Sequence, residues 1–201
     1  MTLSNYKKKI LVVSGSRSDY GLIKSILKNL ENEKKIDTKI LVTGSHLEKI
    51  YGYTYKEIEK DGFKINYKIF LNLKKTDKKK LILSSLKIIK SMGKILIKLK
   101  PDAVLILGDR YEIFSAAFAS YLLGFKVLHF AGGEETPFVY DNNFRKCITN
   151  LSTYHFVTHK DYKKKLIKIG IDNNKIFNVG NLGIDKIKIQ KKINKKFLIK
   201  K

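Results

Sequence analysis

Short apolar runs alternate with amphipathic stretches along almost the whole chain, and this alternation limits the fold more than any other feature. The runs are Lys9 to Val13, Thr38 to Val42, Phe63 to Phe70, Ala103 to Leu107, Lys126 to Phe130, Tyr154 to Val157 and Lys175 to Asn178. Continuous apolar runs of this length read as strands buried on both faces. Between them lie stretches with helical spacing of apolar residues: Tyr20 to Glu31, Leu47 to Lys60, Lys79 to Leu99, Tyr111 to Leu123, Asn142 to Leu151 and Lys160 to Ile169. Gly62, Gly124 and Gly170 stand where three of these should stop. Strand and helix in turn predict an α/β fold with a doubly wound parallel sheet. At 201 residues the chain can fill one core. Residues 1–185 are assigned to that domain, and 186–201, rich in Lys, Ile, Asn and Gln, to a linker or tail.

Composition excludes several functions. A single cysteine, Cys147, rules out an internal disulfide framework and a thiolate-rich zinc site, and it fits a reducing cytoplasm. Every apolar run is cut by lysine too early to form a membrane span. The formal charge of +24 raises the question of nucleic acid, but the lysines are spread along the whole chain and accompanied by Ile and Asn, which argues against a dedicated patch. Of 42 basic residues only Arg17, Arg110 and Arg145 are arginine. Where lysine is the default cation, arginine marks a need for a planar, bidentate donor.

Glycine or polar residues follow four of the strands: Gly15-Ser16-Arg17, Gly44-Ser45-His46, Gly108-Asp109-Arg110 and Gly132-Gly133-Glu134-Glu135. In a parallel sheet all carboxyl ends share one edge, so these residues should converge on the crevice where open α/β sheets bind ligands. The first turn, SGSRSDYG, lacks the G-x-G-x-x-G fingerprint, which disfavours a dinucleotide-dependent dehydrogenase. Asp109 reads either as a crevice carboxylate or as the cap of the next helix. Asp141 and Arg145, one turn apart, read as a helical ion pair or as separate crevice groups. Acidic positions converging on one crevice can supply a base and an acid. His155 and His159 have a metal-like spacing on a strand-like stretch with no further ligand nearby, so no metal site is assigned. His129 is expected to be packed or hydrogen bonded, and Cys147 to be a small core residue.

Taken together, GSRSDYG at 15–21, TGSH at 43–46, YGYT at 51–54, LGDRYEIFS at 107–115, HFAGGE at 129–134, Tyr140-Asp141 through Arg145 and FNVGNLG at 177–183 resemble the hydrolysing UDP-N-acetylglucosamine 2-epimerases in order and spacing, over about residues 8–187. The resemblance is nearest to the subgroup linked to sialic acid synthesis. It implies a Rossmann-like sheet forming the N-terminal half of a glycosyltransferase B-type fold, with nucleotide contacts supplied mostly by a C-terminal domain. The implied reaction converts UDP-N-acetylglucosamine to N-acetylmannosamine and UDP through a 2-acetamidoglucal, with no cofactor or metal. By this resemblance Asp109 and Asp141 are catalytic carboxylates. Many relatives carry Glu at the position of Ala131, so Glu134 or Glu135 is expected to take that place, and Glu134 is the one chosen. Gly15, Arg17, Asp19, His46, Arg110 and Arg145 are expected to bind substrate. Asn142 and Lys146 stand where an acidic residue and a histidine are usual. Implied partners are the UDP-sugar, a second copy in a homodimer, and a separate C-terminal nucleotide-binding domain, with neither nucleic acid nor membrane. Relatives continue for about as many residues again, so the chain is read as the carboxylate-bearing half, inactive alone if that domain is missing. The alternatives are a UDP-2,4-diacetamido-trideoxyhexose substrate, as in legionaminic-type pathways, and a non-catalytic sugar-nucleotide-binding remnant.

Overall fold

A computed structural model describes residues 6–71 and 78–184; the tail assigned to 186–201 lies outside them. Seven strands pair in parallel in the order β3-β2-β1-β4-β5-β6-β7. They are β1 (Lys8–Ser14), β2 (Ile36–Val42), β3 (Ile65–Lys68), β4 (Ala103–Leu107), β5 (Lys126–Phe130), β6 (Tyr154–Val157) and β7 (Ile176–Asn178). The helices are α1 (Arg17–Asn32), α2 (Tyr55–Lys60), α3 (Lys78–Leu99), α4 (Tyr111–Leu122), α5 (Asp141–Leu151) and α6 (Lys160–Lys168). The doubly wound sheet expected from the alternating pattern is therefore present.

Side chains alternate across each strand, so neighbouring residues feed opposite layers. Leu11 and Val13 of β1 with Val104 and Ile106 of β4 pack against Ile88, Met92 and Leu96 of α3, Ile113 and Ala116 of α4, and Ile148 of α5. Val12, Ile40, Val42, Leu105 and Leu107 face the other way, onto Tyr20, Ile23 and Leu27 of α1 and Ile58 of α2. Val157, Leu166 and Ile176 close a smaller cluster under α6. The central strands are buried on both faces, and this is why they read as uninterrupted apolar runs.

Two expectations fail locally. Residues 47–60 do not form one helix: two 3₁₀ turns, Gly44–Leu47 and Lys49–Tyr51, precede α2. Gly52 (φ 80°) and Tyr53 (φ 50°) adopt left-handed backbone between them, which ends any α-helix. Thr54, just beyond the break, is held by His46 Nδ1 through its Oγ1 at 2.8 Å. Cys147 is exposed rather than in the core, because α5 turns Arg145, Ile148 and Thr149 inward.

Gly44 shows how tightly the turns at the sheet edge are packed. Its φ is +61°, and a Cβ there would lie 2.6 Å from the Gly15 carbonyl oxygen and 2.9 Å from Glu112 Oε1. At Gly124, φ is +73° and no atom would lie within 4 Å of an added Cβ. Left-handed backbone costs a residue with a side chain roughly 1–2 kcal/mol. Gly124→Ala should therefore lose about 1 kcal/mol in urea unfolding, and Gly44→Ala more than about 2 kcal/mol because a backbone clash adds to the strain. Equal losses would show that the Gly44 turn has room to relax.

Candidate active site

The strand order reverses between β1 and β4, and the turns following β2, β1, β4 and β5 come to lie side by side along the carboxyl edge. After β1, Ser16 caps α1: its Oγ accepts from Asp19 N at 3.3 Å and lies 2.7 Å from Ser18 Oγ. Arg17 stands at the rim, its side chain 71% exposed and Nε 2.9 Å from Glu57 Oε1. Asp19 is only 8% exposed, and its Oδ2 is buried without a hydrogen-bond partner among the described residues. Burial, reinforced by Glu112 and opposed by Ser16 and Arg110, pushes its pKa up to about 6.

His46 does not reach the crevice as a binding group should. It is fully buried, with Nε2 2.9 Å from Ser14 Oγ and Nδ1 2.8 Å from Thr54 Oγ1. Burial lowers its pKa to about 4, so it is a neutral strut joining the β1 edge to the segment before α2. Both ring nitrogens of His46 are thus engaged within the protein.

After β4, Asp109 accepts from Arg145 Nη2 across the crevice. It does not cap α4, whose N-cap residue is Arg110 and has no side-chain capping bond. Arg145 is 8% exposed, pairs with Asp109 rather than with Asp141 on its own helix, and keeps Nε buried without a partner among the described residues. Asp141 opens α5, and its pKa is raised by burial and by the neighbouring Asp109, with Arg110 and Arg145 opposing. Asp109, Asp141, Arg110 and Arg145 thus form one electrostatic unit.

After β5, His129 is wholly buried, with Nε2 3.0 Å from the Gly108 carbonyl and burial lowering its pKa to about 3. The neutral ring ties the β5 end to the β4 turn. Glu134 accepts from Thr158 Oγ1 at 2.5 Å and shares a small hollow with Arg145 and Thr149. Glu135 instead turns outward to Lys165 (2.6 Å) and Lys146 (3.0 Å), which lower its pKa to about 2. Of the two glutamates, only Glu134 shares that hollow with Arg145. His155 is buried in β6 while His159 caps α6, so the pair does not converge.

One residue was missed. Glu112, fully buried in α4, takes Arg110 Nη2 on Oε1 at 2.9 Å and Nε on Oε2 at 3.3 Å. Its signal was a lone charge in an otherwise uncharged helix, YEIFSAAFASYL, two residues after an arginine.

Sheet and site together define a Rossmann-like α/β domain carrying carboxylates paired with arginines at its switch point. The chain belongs to the UDP-N-acetylglucosamine 2-epimerase family, whose model matches residues 28–201. It is similar to the GDP/UDP-N,N'-diacetylbacillosamine 2-epimerase (hydrolyzing) of Campylobacter jejuni, 39% identical over 96% of this chain and 50% of that one. It is also similar to polysialic acid biosynthesis protein P7 of Escherichia coli, 37% identical over 89% of this chain and 46% of that one. The crystal structure of UDP-GlcNAc 2-epimerase from Neisseria meningitidis bound to UDP-GlcNAc superposes with a TM-score of 0.78 and 27% identity, over 90% of this chain and 49% of that one. The chain spans about half the length of the curated relatives it matches.

Asp19 gives the site a measurable signature. An ordinary aspartate loses its proton near 3.8, whereas Asp19 in the fold holds it to about 6. The folded state therefore binds the extra proton between these values, and the contribution of Asp19 to stability falls as pH rises through that window. Asp19→Asn removes the effect. Its stability relative to the parent should improve from pH 4 to pH 7 by up to roughly 3 kcal/mol, read from urea unfolding; a pH-independent difference would mean that Asp19 ionises normally.

Proposed function

We propose that this domain provides the acid–base half of a hydrolysing 2-epimerase acting on a UDP-linked 2-acetamido sugar, in the first reading UDP-N-acetylglucosamine. The observation carrying this reading is the clustering of Asp109, Arg145, Asp141 and Arg110 at one crevice edge. The reaction consumes water and releases UDP and N-acetylmannosamine. A base removes the C2 proton while the C1–oxygen bond to UDP breaks, leaving a 2-acetamidoglucal. Water then adds at C1 as a proton returns to C2 from the opposite face. Asp109, held by Arg145, is assigned as the base. Asp141, whose proton affinity is raised, is assigned to the second proton transfer, and Glu134, steadied by Thr158, to directing water. Arg17 and Arg110 are assigned to the charge that builds on the departing diphosphate. Gly15 lets the β1 turn approach the ligand. The chemistry is redox-neutral and calls for no organic cofactor.

A second reading replaces the substrate with a UDP-2,4-diacetamido-trideoxyhexose, and the Campylobacter jejuni relative, a GDP/UDP-N,N'-diacetylbacillosamine 2-epimerase, supports it. In both readings a second nucleotide-binding domain acts with this one, either covalently continuous with it or separate. Self-association belongs to the same reading: Ile82, Leu83 and Leu86 on α3 form an exposed apolar row that a second copy would cover. No helix among the described residues is long and apolar enough to cross a membrane. We assign the protein to the cytoplasm, where UDP-sugars are the substrates at hand.

The test is release of UDP and free 2-acetamido sugar from each UDP-sugar, by the chain alone and mixed with the nucleotide-binding domain of a relative. Turnover in D₂O should leave deuterium at C2. Asp109→Asn should lower turnover at least about 100-fold while the protein remains folded by circular dichroism. Turnover by Asp109→Asn at the parental rate would remove Asp109 from the mechanism. UDP-sugar binding without turnover in any format would favour a non-catalytic remnant.

A further inference from the structure

Glu112 occupies the first turn of α4, fully buried, and its carboxylate receives two hydrogen bonds from one guanidinium. The side chain of Arg110 is 39% exposed while that of Glu112 is 0% exposed, so the pair straddles the crevice wall with the anion inside and the cation at the surface. Glu112 lies under two glycine turns: a Cβ added at Gly44 would come 2.9 Å from Oε1, and one added at Gly15 would come 3.9 Å from the Glu112 Cβ. Asp19, a second buried carboxylate, lies close enough for mutual repulsion. An apolar side chain in this place would usually be less costly than a buried ion pair, so stability alone does not account for Glu112. What the pair does achieve is a fixed guanidinium plane. Nε and Nη2 use the inner edge on Glu112. The outer edge, with Nη1 and the remaining Nη2 hydrogen, has no protein partner among the described residues. Two parallel donors on one edge match the oxygens of a phosphate.

We propose that Glu112 is a positioning residue that grips the inner edge of Arg110 and so presents the outer edge to an oxyanion of the substrate diphosphate. The identity of the substrate rests on the epimerase reading above. Because the diphosphate gains charge as its bond to C1 breaks, a fork already aimed at it stabilises the departing group without reorganising first.

A double-mutant cycle tests this, with Glu112→Gln, Arg110→Ala and the combination. UDP and inorganic pyrophosphate binding are read by calorimetry, and turnover in the format that supports it. Glu112→Gln should weaken binding of both anions roughly tenfold and lower kcat by a larger factor than it raises KM. In the Arg110→Ala background it should add less than about twofold, because its effect passes through that arginine. Additive losses in the two backgrounds would make Glu112 a structural residue only and overturn the proposal, as would the absence of any UDP or pyrophosphate binding by the parent chain. If Glu112→Gln does not fold, Arg110→Lys carries the test: it keeps the charge and loses the fork, so a tenfold loss is expected and unchanged affinity overturns the assignment. Coupled anion binding without turnover of either UDP-sugar would sink the epimerase reading while leaving the Glu112 assignment standing.

Discussion

Strands β1 and β4 are hydrogen-bonded neighbours although two strands and three helices separate them in sequence, and their following helices leave on opposite faces of the sheet. Neither α1 nor α4 can cover the strand ends between them, so a crevice opens there. This divergence is the physical origin of the site. It also sets which turns matter, since β2 and β5 flank the central pair and add the Gly44 and Gly132 turns. Two neutral histidines brace the arrangement from behind. His46 ties the β1 edge to the segment before α2, and His129 ties β5 to the Gly108 carbonyl.

The elements legible in the sequence are those whose signal is local. Two-sided burial makes β1, β4 and β5 continuous apolar runs, and α3 and α5 keep helical spacing throughout. The break at Gly52 and Tyr53 was not legible, because apolar spacing continues across it to the buried Leu47 and Ile58 while the backbone turns left-handed. For the site, scarcity of arginine was the best guide. Arg110 and Arg145 hold carboxylates at the crevice and Arg17 stands on its rim. Partner choice was beyond sequence spacing: Arg145 lies one turn from Asp141 yet bonds Asp109, a contact that exists only once α5 packs beside the β4 turn. The partners of His46 were beyond spacing for a related reason: Ser14 and Thr54 meet its two ring nitrogens only once the turn after β2 folds back on β1.

The crevice is assembled against the interest of stability. Among the described residues Asp19 buries a carboxylate oxygen without a partner, Arg145 buries Nε without one, and Glu112 buries its carboxylate beside the Gly44 turn. Such groups cost free energy that the surrounding layers must offset. The apolar clusters on either face of the sheet do so, with Val12, Val13, Val104 and Ile106 all inaccessible to water. Bringing such groups together at one edge of the sheet is what a preorganised polar site requires.

The division of labour among titratable groups follows from the same burial. His46, His129 and His155 are all held well below their usual range, at about 4, 3 and 4, chiefly by desolvation. They stay neutral across physiological pH, and His46 and His129 act as hydrogen-bonding struts. Burial moves Asp19 and Asp141 the other way, towards neutrality, and brings Asp19 to about 6. The crevice groups whose proton affinity is moved towards neutral pH are therefore carboxylates, with arginines, which cannot give up their charge, as the fixed positive counterpart. A site with this composition suits an elimination: it offers a place for a proton taken from carbon and a permanent cation for a departing anion.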